Sequence, residues 1–261
     1  MNIVCFFIAL IASILGSICG VGGGVIIKPA LDLFGIANIS TISFLTSCTV
    51  LAMTGYTVSK GFFVNDRSID IKGVSPLAIG AAAGGVIGKY LFETIKDALP
   101  FAEQVGAIQA VFLGVVALGT MLYTINKKNI KTKHLQGTVL IMVVGVALGI
   151  MSAFLGIGGG PIDLVVLLFF FSMDIKKAAV NSLYIIFFSQ LFSIIYTIAS
   201  RNVPEVEWIT LILMIAGGIG GGMIGRCINK KIETKTVDKL FILVLTVIVL
   251  ISIYNFCKYL N

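Results

Sequence analysis

The sequence predicts an all-α polytopic membrane protein built as two inverted repeats, each with one glycine-broken re-entrant helical hairpin and three transmembrane helices. Three observations carry that prediction. Hydrophobic residues make up 58% of the 261-residue chain and charged residues only 12%, with a mean hydropathy of +1.07; water-soluble chains run about 45–50% apolar and about 25% charged. Apolar stretches near the ~20 residues that a spanning helix needs recur along the whole chain. Two glycine motifs appear twice at almost one offset.

In chain order the continuous spans are Ile42–Lys60, Val74–Phe92, Glu103–Ile125, Ala178–Ser200, Trp208–Cys227 and Leu240–Cys257. Two longer apolar regions, Ile3–Gly35 and Thr138–Ser172, are each interrupted by a glycine cluster. The clusters are Gly20-Val21-Gly22-Gly23-Gly24 and Gly156-Ile157-Gly158-Gly159-Gly160-Pro161, which superpose at an offset of 136. A second pair, Gly84-Gly85-Val86-Ile87-Gly88-Lys89 and Gly221-Gly222-Met223-Ile224-Gly225-Arg226, superposes at 137. Two independent motifs at nearly one offset indicate an internal duplication. The repeats are 1–126 and 135–261, joined by a basic cytoplasmic linker at 127–134.

The basic residues choose between two topologies. If each glycine-broken region crosses the membrane once, lysine and arginine divide nine against nine. If each is a hairpin returning to its starting side, they divide fourteen against four, with Lys28 inside a hairpin. The positive-inside rule therefore selects hairpins and places both termini outside the cytoplasm. Three crossings per repeat then invert the second repeat relative to the first, an arrangement found among secondary transporters.

A glycine run breaks a helix, and the freed backbone groups must face a protein-buried or water-filled cavity rather than lipid. The half-helix that restarts after the break presents N–H groups and a positive dipole end, an anion site with no cationic side chain. Gly22, Gly23 and Gly24 with Gly158, Gly159 and Gly160 are accordingly the substrate-binding candidates, two ends facing each other near the midplane. Close helix packing is the alternative use of such glycines. For the glycines recurring every four residues at 80, 84 and 88 and at 217, 221 and 225, packing within the protomer or across a homodimer is the better account.

The stretch Gly16-Ser17-Ile18-Cys19-Gly20-Val21-Gly22-Gly23-Gly24 followed by Pro29-Ala30-Leu31 resembles the first signature of the sulfite exporter TauE/SafE family. Leu155-Gly156-Ile157-Gly158-Gly159-Gly160-Pro161 resembles the second. The likeness spans nearly the whole chain. It implies movement of sulfite, a sulfonate or a related organosulfur anion. The second copy departs from the first in having no proline matching Pro29 and Pro161 directly after the glycines.

Polar residues fill out the candidate site. Thr46-Ser47 and Asn181-Ser182 occupy matching places in the two halves, where they could hydrogen-bond an oxyanion or act as interhelical glue; Gln190, deeper in the same span as Asn181, reads as structural. Lys28, Asp32 and Asp163 stand inside the hairpins, where an unpaired charge costs about 2.5–3.5 kcal/mol on insertion scales. Lys28 is expected to add charge for the anion, and Asp163 either to pair with it or to carry a coupling proton; snorkelling to water is the other account of both, and the one favoured for Asp32.

The remaining features exclude other classes. Basic residues sit in short connectors with no nucleic-acid motif, so nucleic acid is not a partner, while the lipid bilayer and a small anion are. Cys5, Cys19, Cys48, Cys227 and Cys257 have no CxxC spacing, so no metal or disulfide framework is expected; a role of Cys19 or Cys48 in sulfur chemistry stays open. No cofactor motif and no P-loop are present, so energy would come from a gradient. His134 lies in the charged linker. The N-terminus lacks a basic n-region and a cleavage site, which reads as a mature membrane segment, suited to a bacterial inner membrane. A secondary transporter is the expected function, not an enzyme; a membrane-embedded sulfur-handling enzyme and a passive anion channel are the alternatives.

Overall fold

A computed structural model describes residues 2–64, 68–98, 102–135, 137–157 and 159–260. These residues form helices α1 (Asn2–Cys19), α2 (Gly24–Leu33), α3 (Ile39–Phe63), α4 (Ile71–Ala98), α5 (Ala102–Asn126), α6 (Thr138–Leu155), α7 (Pro161–Phe170), α8 (Ile175–Ala199), α9 (Trp208–Lys231) and α10 (Thr234–Leu260). One 3-10 turn, Lys127–Asn129, follows α5. No strand occurs among the described residues.

Local chemistry sets the helix ends. Asn38 caps α3 by accepting from the Thr41 N–H at 2.8 Å, and Asp174 caps α8 by accepting from Lys176 and Lys177 N–H, both at 3.0 Å. Such side chains satisfy N–H groups that the first turn leaves without a partner. Both helices therefore start three residues before the expected spans, because hydropathy follows apolar residues and does not register a polar cap. Proline stands at the first position of α7, where its fixed φ and missing N–H are harmless.

The two glycine-broken regions have unequal arms. In each, an 18-residue helix, α1 or α6, leads through the glycines into a 10-residue helix, α2 or α7. Eighteen residues span about 27 Å, close to a bilayer core. Among the described residues, eight helices rather than the six expected spans are thus long and apolar enough to cross a membrane. The short arms nevertheless turn back. Asn2 Nδ2 donates to Glu207 Oε1 at 2.9 Å and Thr41 Oγ1 to the Glu205 carbonyl at 3.1 Å, so α1 and α3 both begin beside the start of α9. The N–H groups of Lys133 and Leu135 donate to the carbonyls of Phe169 and Phe170, tying the end of α7 to the segment just before α6. One end of the bundle, the terminal end, holds Asn2, Asp32 and Lys258; the other, the linker end, holds Lys127, which pairs with Asp238 at 2.5 Å.

Small residues decide which helices touch. Along α4, a methyl group on Gly80, Gly84 or Gly88 would overlap the carbonyl oxygens of Met142, Val146 and Ile150 on α6. Along α9, Gly217, Gly221 and Gly225 meet the carbonyls of Phe6, Leu10 and Ile14 on α1 in the same way. The contacts rise together in number, so each pair runs parallel. These glycine faces are consumed within the protomer, which bears out packing as their use.

Candidate functional site

The two glycine loops lie against each other between α3 and α8. Gly20, Gly22 and Gly23 have φ of +76°, +78° and +67°, and Gly156 and Gly159 have +61° and +96°, a region that residues with a Cβ rarely enter. That requirement is one reason glycine recurs here. Close approach is the other: a Cβ on Gly24 would overlap the Ile157 carbonyl oxygen, and one on Gly20 the backbone of Ala179. Gly24 also faces Val50 of α3, and Gly159 faces Ile186 of α8. Gly160 is the extended residue that precedes α7. Gly158 lies outside the described residues.

The two half-helix ends differ in charge. No acidic residue occurs in the first turn of α2, whereas α7 carries Asp163 at its third position. Asp163 Oδ2 accepts from the Gly160 N–H at 3.3 Å, so the protein's own carboxylate stands at the positive end of α7. That residue is buried, 4% exposed.

Lys28 is 3% exposed and points elsewhere. Its Nζ donates to the Leu155 carbonyl at 2.5 Å and to Gln109 Oε1 at 2.6 Å, while Gln109 Nε2 donates to the Phe154 carbonyl at 2.5 Å. An ammonium on the last carbonyls of a helix sits at the negative end of the dipole. Lys28 therefore fastens the C-terminus of α6, a duty its position in sequence does not reveal, and its partners do not include Asp163. Leu155 and Ile157 line both the narrow cavity beside Lys28 and the one beside Asp163. Asp32 lines the Lys28 cavity near the terminal end.

The polar pairs also separate by duty. Asn181 makes three bonds: Oδ1 accepts from the Asp70 N–H at 2.9 Å, and Nδ2 donates to the Ser68 and Lys177 carbonyls, both at 2.8 Å. Ser182 Oγ donates to the Gly20 carbonyl and lies 3.0 Å from that of Ala179, which holds the first glycine loop onto α8. Thr46 is different. Its Oγ1 is buried with no hydrogen-bond partner among the described residues, and Ser47 is buried beside it on α3. Cys19 packs into the main apolar core, and Cys48 is half-buried.

Two polar groups, Gln109 and Ser43, escaped the sequence reading, and Gln190 differs from what was expected of it. Gln109 is a lone amide in an apolar span, and that contrast was the available signal. Ser43 Oγ lies beside Gly156 and has no partner among the described residues. Gln190, expected to be structural, is fully buried, and neither amide atom has a partner among the described residues. Leaving such groups without a partner costs about 1–3 kcal/mol each, so their retention on the two helices flanking the glycine loops marks this region.

Comparison with known proteins agrees with the signatures. The family described as sulfite exporter TauE/SafE matches residues 5–252. "Probable membrane transporter protein YunE" of Bacillus subtilis (strain 168) is 27% identical over 92% of this chain and 93% of its own length. A "Probable membrane transporter protein" of Haemophilus influenzae is 25% identical over 88% of this chain and 84% of its own. "Probable membrane transporter protein MamO" of Magnetospirillum gryphiswaldense is 23% identical over 90% of this chain, which spans 42% of that relative. No solved structure matches the chain.

Proposed function

We propose that this chain, which belongs to the sulfite exporter TauE/SafE family, is a secondary carrier that binds sulfite or a related organosulfur anion between its two glycine-loop half-helix ends. It is a multi-pass membrane transporter and not an enzyme. The observation that carries the finer reading is the meeting of the two loops, Gly24 against the Ile157 carbonyl, between two spanning helices. Gly22, Gly23 and Gly24 lead into the end of α2 that lacks a carboxylate, and the unpartnered Thr46 hydroxyl with Ser47 supplies hydrogen bonding on the flanking helix. Gly159 and Gly160 form the opposing end. Lys28, Asn181 and Ser182 act from behind, holding α6, the α3–α4 connector and the first loop in place.

Asp163 is the coupling candidate. While ionised it occupies the positive end of α7 and repels a second anion. A proton on Asp163 removes that repulsion, so proton and anion would bind together. The parallel pairs α1 with α9 and α4 with α6 support two inverted repeats, 1–126 and 135–261, rocking about the loops for alternating access. With the basic linker 127–134 cytoplasmic, in a plasma or bacterial inner membrane, both termini are extracytoplasmic.

Uptake of radiolabelled sulfite into proteoliposomes, with and without an imposed pH gradient, tests the proposal. Saturable flux that the gradient drives is expected, with thiosulfate and sulfonates as competitors. Non-saturating flux would replace the carrier with a channel. Asp163→Asn is expected to keep sulfite exchange and lose gradient-driven accumulation; unchanged accumulation would refute Asp163 as the coupling group.

A further inference from the structure

The repeated motif that ends in Lys89 and Arg226 is not exhausted by helix packing. Its glycines account for the α4–α6 and α1–α9 contacts, but the basic residue that closes each copy is buried as well, Lys89 at 8% exposure and Arg226 at 9%. Arg226 is engaged: Nη1 donates to the Thr57 carbonyl at 2.5 Å, and its guanidinium lies against Gly61. Lys89 is not. Glu93, one turn along α4, lies within reach of a lysine at that spacing, in the less favoured order of the two charges; the two form no ion pair, and Glu93 Oε2 accepts from Asn202 Nδ2 at 2.9 Å. Among the described residues the Lys89 ammonium makes no hydrogen bond. It sits 4.9 Å from the centre of the Phe92 ring and lines a cavity of about 240 Å³ at the terminal end, with Ser40, Phe92, Glu93, Lys96 and Asn202.

We propose that this cavity is a docking vestibule for a small oxyanion, in which Lys89 supplies the charge and Ser40, Asn202 and Lys96 the surrounding donors. A second cavity of about 390 Å³ shares Ser40 and Lys96 and reaches Asn38 and Ile39, where the first turn of α3 adds its positive end. Glu93 and Glu205 face the same space and set the opposing charge. Onward movement of an anion held by Lys89 rests on the carrier reading; docking itself does not require it.

Calorimetric titration of sulfite, thiosulfate and sulfate into the detergent-purified full chain tests the vestibule. Lys89→Gln is expected to weaken sulfite binding by about tenfold or more, the effect of losing a charge-assisted contact. Lys89→Arg should retain it, and Glu93→Gln should tighten it by relieving repulsion. The proposal is overturned by a Lys89→Gln protein that binds sulfite as the wild type does, or by a wild-type chain that binds none of the three anions. Should Lys89→Gln not fold, weaker binding by Glu93→Gln would overturn it equally. Binding without any flux in proteoliposomes would sink the carrier and leave the vestibule standing.

Discussion

Replacing Asn181 by alanine separates a structural clamp from a substrate ligand. The side chain makes two bonds to the α3–α4 connector, from Asp70 N–H and to the Ser68 carbonyl, and one to Lys177 in its own helix. Side-chain hydrogen bonds between membrane helices average about 0.6 kcal/mol, which gives about 1.2 kcal/mol for the two connector bonds as a floor. Asn181 is fully buried, and a donor left without an acceptor costs about 1–3 kcal/mol. Asp70 is only half-buried, so water can partly replace the lost acceptor. The expected destabilisation is therefore about 1–3 kcal/mol, or several degrees in melting temperature for a chain of this length. The assay is thermal unfolding of the purified protein, with sulfite uptake measured on the folded fraction. Melting should fall while half-saturating sulfite stays the same. Unchanged melting with weaker sulfite binding would refute the clamp and return Asn181 to the anion.

Two further perturbations follow from the packing and from the terminal end. Gly84→Leu and Gly221→Leu place side chains where the Val146 and Leu10 carbonyls already lie; overpacking costs about 1–3 kcal/mol or more, and each variant should lose folded yield by size-exclusion chromatography, whereas Gly119→Leu, with open space around its Cβ position, should not. Hydrogen bonds from Thr210 at 2.7 Å and Asn2 at 2.9 Å hold the exposed Glu207 carboxyl below its ordinary range. Because the folded value is depressed, the stabilisation is complete above the unfolded value and fades as pH falls through the folded one. Thr210→Ala should shrink the acid limb of a melting-against-pH profile, and an identical limb would show that the Thr210 bond does not contribute.

The fold was largely legible because its main signals are local or periodic. Hydropathy located the six continuous spans and both glycine-broken regions, and the basic residues favoured hairpins over single crossings. The chain's glycines marked both breaks, since positive φ and backbone contact leave little room for any other residue. Less legible was the length of α1 and α6: the glycine clusters lie late in each region, so the long arm itself meets the crossing criterion and eight helices do so in place of six.

Sequence by itself determined the membrane class, the duplicated motifs, the family signature and the set of polar residues at depth. Tertiary structure decided what those residues do. Lys28 and Asp163 look alike in sequence, each a few positions after a glycine run, yet one caps α6 and the other its own α7. Asn181 and Ser182 read as a pair for an oxyanion, but their partners, Ser68, Asp70 and Gly20, come from more than a hundred residues away. Lys89 and Arg226 match in the motif and differ only because α3 closes over one and a cavity opens beside the other. A hydrogen bond depends on a partner brought close by folding, and no local pattern encodes which distant carbonyl will be there.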